Sequence, residues 1–404
     1  MTEAHQSPLR IAVVGLGVAG GVLASGLMRR DDVEVFAVEK VGPDDHAHAG
    51  NGLNVGPNAM RTLAAVLPDM ADELRAASLP WARWEAKLSD GTPLYHIPLD
   101  EVADTTGIRV RWSELYRCVR APIRERACFQ TTMEDLVIDP ARPRPIAFTL
   151  VDQITGIRER VTDVDMLISL DSRYSANREA LCGLPDTRFL GVANFRTRLE
   201  DDGESGIDDL AEWYTGPNRL LAFRLQDGLI YLSGNFPTDE HGEVPDAWRT
   251  REWIRRAYLP AHGPVDPSCA WLIDAMDKQG TELHWSRAQE IDMRFRDDTG
   301  HVLFLGDSAH AMAPTLGQGA TTAIEDACAF LVALEARTPA DLDVAAFTDA
   351  FAQTRAERIE FVRRVSWDAS DTLLRGADPL ANKAKNGPDY RNLLKRLYMD
   401  TPAP

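Results

Sequence analysis

The sequence contains no long apolar segment. None of the uninterrupted apolar runs in its 404 residues approaches the roughly 20 residues that a membrane-spanning helix requires. Residues 1–8 are too few and too polar for a secretory signal peptide. We therefore expect a soluble cytoplasmic protein that has no membrane partner.

Cysteine and positive charge are both scarce. The five cysteines are scattered, without a C-x-x-C pair or a His/Cys cluster, so the sequence predicts neither a disulfide framework nor a metal site. Lys and Arg number 44 against 62 Asp and Glu, which gives a formal charge of -18. Because nucleic acid is itself strongly anionic, we expect no nucleic-acid partner. The length allows two domains with a sizeable core.

Residues 10–14 predict a β-strand, and three glycines in an apolar helical run follow it directly. Gly15 and Gly17 permit a tight turn and a close approach of the backbone to a pyrophosphate, while Gly20 lets the helix pack against the strand. A second predicted strand ends at Glu39, about 20 residues further on, where an acidic side chain accepts hydrogen bonds from adenosine ribose. This order of strand, glycines, helix, strand and acid predicts a dinucleotide-binding site.

A second stretch, residues 302–326, combines a strand, a glycine loop and a helix start. Asp307 follows the apolar strand, and a carboxylate in that place points into the crevice where open α/β sheets bind ligands. It can accept hydrogen bonds from the hydroxyl groups of a ribose or ribityl chain. Gly317 and Gly319 allow backbone N–H groups to approach a flat or anionic ligand. A helix from about Ala320 directs its positive end at that ligand.

These residues resemble the second flavin motif of the class A flavoprotein aromatic hydroxylases, the family of para-hydroxybenzoate hydroxylase. The matching positions are Gly306, Asp307, His310, Pro314, Gly317, Gln318, Gly319, Glu325 and Asp326. In this family the Asp binds the ribityl chain of FAD, and the proline–glycine loop lies against the isoalloxazine ring. A further stretch resembles the family's Asp-Gly motif, in which Asp171 matches and Ser172 replaces the glycine. If that position requires a positive φ, serine costs on the order of 1 kcal/mol.

The resemblance implies an α/β fold, with a three-layer Rossmann-like FAD-binding domain, an inserted mixed β-sheet domain for the substrate, and C-terminal helices. A hairpin signal at Asp227-Gly228, between two strand-like runs, agrees with a sheet in the middle of the chain. On the long helix predicted over residues 344–367, we expect Arg355 and Arg358 to be exposed surface charges. The expected domain ranges are 1–80, 105–183 and 287–375 for the FAD-binding domain, 81–104 and 184–286 for the substrate domain, and 376–404 for a C-terminal helix.

The resemblance also implies the residues that contact each ligand. The expected FAD contacts are Gly15, Gly17, Val18, Ala19, Gly20, Glu39, Lys40, Gly52, Arg111, Asp171, Asp307, Pro314, Gly317, Gln318, Gly319 and Ala320. The expected substrate contacts are Asn54, Tyr214, Arg224 and Pro314. As catalytic residues we predict Pro314 beside the flavin, and Tyr214 or His284 as the base that activates a ring hydroxyl. The alternative for Tyr214 is packing in the core, and the alternative for Arg224 is a solvated position.

The function that the resemblance implies is FAD-dependent monooxygenation of a small aromatic ring, with a pyridine-type ring favoured over benzoates and phenols. NADH or NADPH would reduce the flavin, which would react with O2 to give a C4a-hydroperoxide that transfers oxygen to the ring. The expected partners are a small aromatic substrate, O2 and NAD(P)H, bound by a monomer or homodimer. The alternatives are an FAD-dependent dehydrogenase or reductase of the same fold that transfers no oxygen, and a flavin-binding protein without catalytic activity.

Overall fold

The computed structural model describes residues 8–45, 51–239, 243–338 and 342–401. Its strands are β1 (Leu9–Val14), β2 (Val33–Val38), β3 (Gly52–Val55), β4 (Leu79–Trp81), β5 (Arg83–Leu88), β6 (Pro93–Pro98), β7 (Gly107–Arg111), β8 (Thr131–Ile138), β9 (Ile146–Asp152), β10 (Arg158–Val164), β11 (Met166–Ser169), β12 (Thr187–Glu200), β13 (Leu210–Thr215), β14 (Asn218–Arg224), β15 (Leu229–Pro237), β16 (His284–Ile291) and β17 (Val302–Phe304). Its α-helices are α1 (Val18–Leu27), α2 (Pro57–Val66), α3 (Pro68–Ala76), α4 (Trp112–Arg120), α5 (Ala176–Cys182), α6 (Arg251–Tyr258), α7 (Pro267–Gln279), α8 (Asp307–His310), α9 (Gln318–Glu335), α10 (Val344–Asp368) and α11 (Pro388–Met399).

A four-stranded parallel sheet brings the carboxyl ends of its strands to one edge. Its order is β17-β11-β1-β2, and its strands are short apolar runs that are mostly buried, as parallel sheets require. Gly15, Glu39, Asp171 and Asp307 each come just after the end of one of these strands. The fold thereby gathers four positions from separated parts of the chain at one crevice, as the resemblance implied.

A seven-stranded mixed sheet lies in the middle of the chain, with the order β16-β12-β15-β14-β13-β5-β6. The pair β13–β5 is parallel and the other pairs are antiparallel. The predicted turn at Asp227-Gly228 is confirmed, because both residues adopt positive φ, 60° and 68°, between β14 and β15. Helices α6 and α7 pack on one face of this sheet and form a second hydrophobic core with it.

Two smaller sheets complete the fold, with the orders β10-β9-β8 and β3-β7-β4. Sequence patterning did not predict the first of them, residues 131–164. Its outer strands β8 and β10 expose many of their charged side chains, so the alternation of apolar and polar residues that identifies a strand is weak there. Among the described residues, no helix combines the length and apolar composition that crossing a bilayer would require.

Candidate functional site

The turn between β1 and α1 has the shape of a phosphate-binding loop. Gly15 adopts φ of 91°, and a Cβ there would lie 2.5 Å from the carbonyl oxygen of Leu170. A Cβ on Gly20 would lie 1.9 Å from the carbonyl oxygen of Gly15, so both positions require glycine. At Gly17 the nearest atom to such a Cβ is 4.0 Å away, which leaves open space above the loop. Helix α1 begins there without a capping side chain or an acidic residue in its first turn.

These features fit the pyrophosphate of FAD. The first-turn N–H groups of α1, at Val18 and Ala19, belong to a helix end that favours an anion. Glu39 is buried at the end of β2, where its carboxylate accepts hydrogen bonds from the backbone N–H of Leu16 (2.8 Å) and Val41 (3.2 Å). The carboxylate is thus fixed beside the glycine turn. Lys40, the next residue, is exposed.

Arg120 also fixes this loop, and sequence reasoning missed it. Its Nε donates to the carbonyl oxygen of Leu16 at 2.8 Å, and its Nη2 lies 3.5 Å from Oε2 of Glu39. The guanidinium lies over the ring of Tyr116, 4.9 Å from its centre. A basic residue in the last turn of a helix is common for other reasons, so the sequence carried no signal of this contact.

The flavin loop, residues 314–320, lies beside Asp307, because a Cβ on Gly319 would lie 3.9 Å from Oδ1 of Asp307. Gly317 adopts φ of 64°, and a Cβ there would lie within 2.8 Å of the Asn54 amide. Helix α9 starts here without a capping side chain or an acid in its first turn, so its positive end is directed at the crevice. Gln318, an expected FAD contact, is fully buried and accepts a hydrogen bond from Asn58 (3.1 Å), and it is not part of the cavity lining.

A buried ion-pair cluster holds this segment to α9 and α10. Asp326 accepts hydrogen bonds from the Gly306 backbone (2.8 Å) and from Nε of Arg355 (2.8 Å), and Glu325 accepts one from Nη2 of Arg358 (2.9 Å). Burial alone would raise the pKa of Asp326, but His310 and Arg355 outweigh it, so this pKa lies below its ordinary value.

The prediction that Arg355 and Arg358 are exposed is therefore wrong. Their side chains are 0% and 6% exposed, because two acids of α9 face α10 inside the core. Helical periodicity within α10 gives no information about carboxylates that another helix supplies.

The residues that follow Asp171 form part of the lining of a central cavity. Ser172 adopts φ of 77°, so the position does require the left-handed conformation that glycine favours. Ser172, Arg173 and Tyr174 line the cavity, whereas the Asp171 carboxylate accepts hydrogen bonds from Ser169 and Asn177.

Trp112 also lines this cavity. Arg111, an expected FAD contact, instead forms ion pairs of 3.2 Å with Glu114 and Asp227. The structure therefore places its guanidinium among acids beside the cavity rather than in the lining.

The central cavity, about 510 Å³ in volume, lies between the flavin loop and the seven-stranded sheet. We call the cavity-facing side of that sheet the roof. The expected ligand contacts that line the cavity are Gly52, Asn54, Asp307, Pro314, Gly317, Gly319 and Ala320. The roof contributes Asn194, Arg196, Leu210, Arg219, Leu221, Phe223, Tyr231, Ser233, Asn235, Ser286, Arg287 and Gln289. Phe223 and Tyr231 stack at 4.6 Å and form an aromatic wall, and Trp84 also lines the cavity.

Tyr214 does not belong to the cavity lining. It shares the roof side of the sheet but lies one strand beyond Arg219, and its hydroxyl donates to buried Glu212 at 2.8 Å. Burial and the Glu212 charge hold the pKa of Tyr214 far above its usual range, which disfavours its ionisation near neutral pH.

Arg224 and His284 are also outside the lining. Arg224 follows Phe223 by one residue, so its side chain projects from the other side of β14, where it contacts Asp201 and the carbonyl oxygen of Ile207. His284 is exposed at the start of edge strand β16.

Comparisons with known proteins relate this chain to FAD-dependent monooxygenases. A family model described as an FAD binding domain matches residues 272–359. The 6-hydroxynicotinate 3-monooxygenase of Bordetella bronchiseptica is 26% identical over 90% of this chain and 92% of its own length. The 3-amino-4-hydroxybenzoate 2-monooxygenase PtmB3 of Streptomyces platensis is 28% identical over 91% of this chain and 89% of its own.

A solved structure has the same fold. Klebsiella pneumoniae HpxO, in complex with FAD and uric acid, superposes with a TM-score of 0.81 at 21% identity, covering 100% of both chains. The glycine turn, Glu39, Asp307 and the flavin loop meet at one crevice with an adjoining cavity, and the relatives match along nearly the whole chain. In sequence and fold the chain is similar to class A FAD-dependent aromatic hydroxylases.

Proposed function

We propose that this protein hydroxylates a small aromatic ring, preferably of the pyridine type, with FAD as cofactor and NAD(P)H and O2 as co-substrates. The observation that carries the proposal is the continuity of the central cavity, which runs from Asp307 and the flavin loop to the roof. Its volume of about 510 Å³ is typical of small-molecule sites. A ring bound there meets both the residues expected to hold the flavin and the aromatic wall.

The chain's own residues hold the cofactor and exclude water. Bound FAD supplies the redox chemistry, which takes electrons from NAD(P)H and delivers one oxygen atom of O2 to the ring. The glycine turn and Glu39 would hold the adenosine diphosphate part, and Asp307 the ribityl chain. The uncapped N-terminus of α9 would stabilise negative charge on the flavin ring. Phe223 and Tyr231 cover the cavity and keep water from the reacting groups.

The preference for a pyridine-type ring rests on the polarity of the roof. Beside the aromatic wall, the roof offers amide and guanidinium groups from Asn194, Asn235 and Arg196. Such groups suit a ring that carries a nitrogen and oxygen substituents, whereas a plain phenol would leave several of them unpaired. Two of the relatives are named as monooxygenases of 6-hydroxynicotinate, a ring of this kind.

The test is oxygen incorporation by the FAD-loaded protein. A panel of hydroxypyridines, pyridine carboxylates and hydroxybenzoates is incubated with NADH or NADPH under oxygen-18 gas, and products are analysed by mass spectrometry. We expect at least one ring to stimulate NAD(P)H oxidation and to gain one labelled oxygen atom. Reactions without FAD and without a ring serve as controls.

The alternative, a dehydrogenase or reductase, predicts a different result. NAD(P)H would then be consumed at the same rate under nitrogen with an artificial electron acceptor, and no product would carry the label. That outcome across the panel would reject oxygen transfer while leaving FAD binding intact.

A further inference from the structure

Four polar side chains form a continuous row across the roof. Strand registers place Ser286 opposite Asn194, Asn194 opposite Asn235, and Asn235 opposite Arg219. Directly opposed residues on neighbouring strands project from the same face of a sheet. All four line the central cavity, so the row crosses four strands above the place where a substrate ring would lie.

The orientation of the Asn235 amide is fixed by its neighbour. Nε and Nη2 of Arg219 donate to Oδ1 of Asn235 at 3.2 and 3.0 Å. A guanidinium has donors only, so the oxygen of this amide must face Arg219 and its NH2 group must face away. Asn235 is 6% exposed, and its Nδ2 has no hydrogen-bond partner within the described part of the chain.

Arg219 is itself held in place by the buried carboxylate of Glu212. Its Nη1 donates to Oε1 of Glu212 at 3.0 Å, and the other oxygen of Glu212 accepts the hydroxyl groups of Tyr95 and Tyr214, both at 2.8 Å. Glu212 is fully buried. Turning the guanidinium toward a ligand would leave this carboxylate without its cation, which is costly in the protein interior. The donor that this part of the row offers to the cavity is therefore the Asn235 amide.

Asn194 offers a second donor beside the first. Its Oδ1 accepts a hydrogen bond from Oγ of Ser286 at 2.7 Å, its side chain is buried, and its Nδ2 has no partner among the residues that the structure describes. Opposed residues on paired strands have Cβ atoms roughly 5 Å apart, so one ligand group can reach both amides. Arg196 and Arg287, also in the roof, add positive charge to the same wall.

We propose that the amide NH2 groups of Asn194 and Asn235 together bind an acceptor oxygen on the substrate ring, an oxo group or a carboxylate. The inference rests on the proposed function, since it concerns the substrate of that site. A ring with such an oxygen satisfies two buried donors, and a ring without it leaves both unpaired. The row is thus a specificity determinant of the cavity, and Arg219, Glu212 and Ser286 are positioning residues that orient the two amides.

The experiment measures binding to the FAD-loaded protein from the change in flavin absorbance, which requires no turnover. The probes are 6-hydroxynicotinate, which carries both kinds of oxygen, 2-hydroxypyridine, which has the oxo group only, nicotinate, which has the carboxylate only, and pyridine, which has neither. They are compared in the wild type, in Asn235→Asp and in Asn194→Asp. The matched control is Asn392→Asp, the same change at an exposed position on α11.

We expect each roof variant to bind 6-hydroxynicotinate roughly 10- to 100-fold more weakly, because an acceptor replaces the donor while the side chain keeps its shape. Pyridine binding and Asn392→Asp should remain within about twofold of the wild type. Which single-oxygen probe loses affinity identifies the group that is recognised. FAD content and the thermal midpoint of unfolding identify a variant that fails to fold. If one roof variant fails to fold, the binding data of the other roof variant test the inference.

Equal affinity for 6-hydroxynicotinate in the wild type and both roof variants would overturn the inference. So would a wild type that binds none of the three oxygen-bearing probes. Either result leaves the proposed function standing if some ring still gains labelled oxygen from O2. If no ring does so, the proposed function fails separately.

Discussion

Nε2 of His310 lies 2.7 Å from Oδ2 of Asp326, and both side chains are fully buried. His310 ends α8, which Asp307 begins, whereas Asp326 lies on α9 behind the flavin loop. The contact therefore fixes Asp307 relative to the loop that faces it. The same carboxylate accepts a hydrogen bond from Arg355 of α10. Helix α10 therefore also helps to fix the position of the flavin loop relative to Asp307.

Replacement of Arg355 by Met should destabilise the protein by about 3–5 kcal/mol, since it leaves Asp326 and Glu325 short of a buried cation. The free energy of unfolding, from urea denaturation, provides the measurement. Arg364→Met is the control, because Arg364 lies on the same helix but is exposed. Equal losses for the two variants would mean that the cluster contributes nothing beyond an ordinary surface charge.

Two glycines of the first turn should separate folding from cofactor binding. Gly20→Ala should destabilise the FAD-free protein, because the new Cβ would overlap the Gly15 carbonyl group. Gly17→Ala should leave the FAD-free protein within about 0.5 kcal/mol of the wild type, because its Cβ meets open space. It should nevertheless weaken FAD binding at least about tenfold, since the methyl group lies where the backbone approaches the pyrophosphate.

Unfolding of the FAD-free variants and titration with FAD give the two quantities. Unchanged FAD affinity in Gly17→Ala would contradict the assignment of this turn to the pyrophosphate.

Ser172→Gly should raise the free energy of unfolding by about 0.5–1 kcal/mol, because Ser172 adopts φ of 77° and only glycine occupies that region without strain. Thermal or urea denaturation detects the change. A loss of stability would instead mean that the serine side chain contributes more than its backbone conformation costs.

The aromatic cage around Lys385 predicts a pH-dependent stability. Its Nζ lies 5.0 Å from the ring centre of Tyr95 and 5.6 Å from that of Tyr390. Burial lowers the pKa of Lys385 to about 8 from its ordinary 10.5, although the Glu212 charge opposes the shift. Below pH 8 the amine is charged in both states, and the cost of burying it is fully present. Between pH 8 and 10.5 only the unfolded chain keeps the proton, so this residue's contribution to stability rises with pH.

Lys385→Met should therefore be more stable than the wild type at pH 7, by about 2 kcal/mol. The gain should shrink as the pH rises toward 10, because Lys385 in the folded wild type then loses its proton and the cost of burying a charge disappears. All other groups titrate alike in the two proteins, so they do not affect the difference. Urea denaturation at several pH values measures the difference. The control is Lys383→Met, an exposed lysine in the same 3-10 segment, Pro379–Asn386. A gain in stability that stays constant with pH would show that it does not come from removing a buried charge.

The parts of the site that sequence predicted well depend on local backbone. The strand expected over residues 33–38 is the observed β2, and Glu39 follows it beside the glycine turn. Ser172 has the positive φ that its motif position suggested. In each case the relevant contacts lie within one turn or one strand–helix–strand unit, whose residue types are dictated by sterics that act over a short stretch of chain.

The parts that it could not predict depend on which elements become neighbours. Tyr214 was expected at the substrate, but its strand lies one place too far along the sheet. Arg224 was predicted from a strand whose cavity-facing side the sequence does not reveal. Successive residues of a strand project from opposite faces, so Arg224 projects away from the cavity while Phe223 lines it. Arg355 was expected in solvent, because its partners come from another helix.

The amino-acid sequence by itself indicated a dinucleotide-binding site, since glycines, a terminal acid and a helix start act through short-range geometry, and its resemblance to a flavoprotein family implied that the dinucleotide is FAD. Tertiary structure alone decided the character of the substrate cavity. Asn194, Asn235 and Arg219 form one row only because three strands pair in a single register, and a shift of one residue would direct all three away from the cavity.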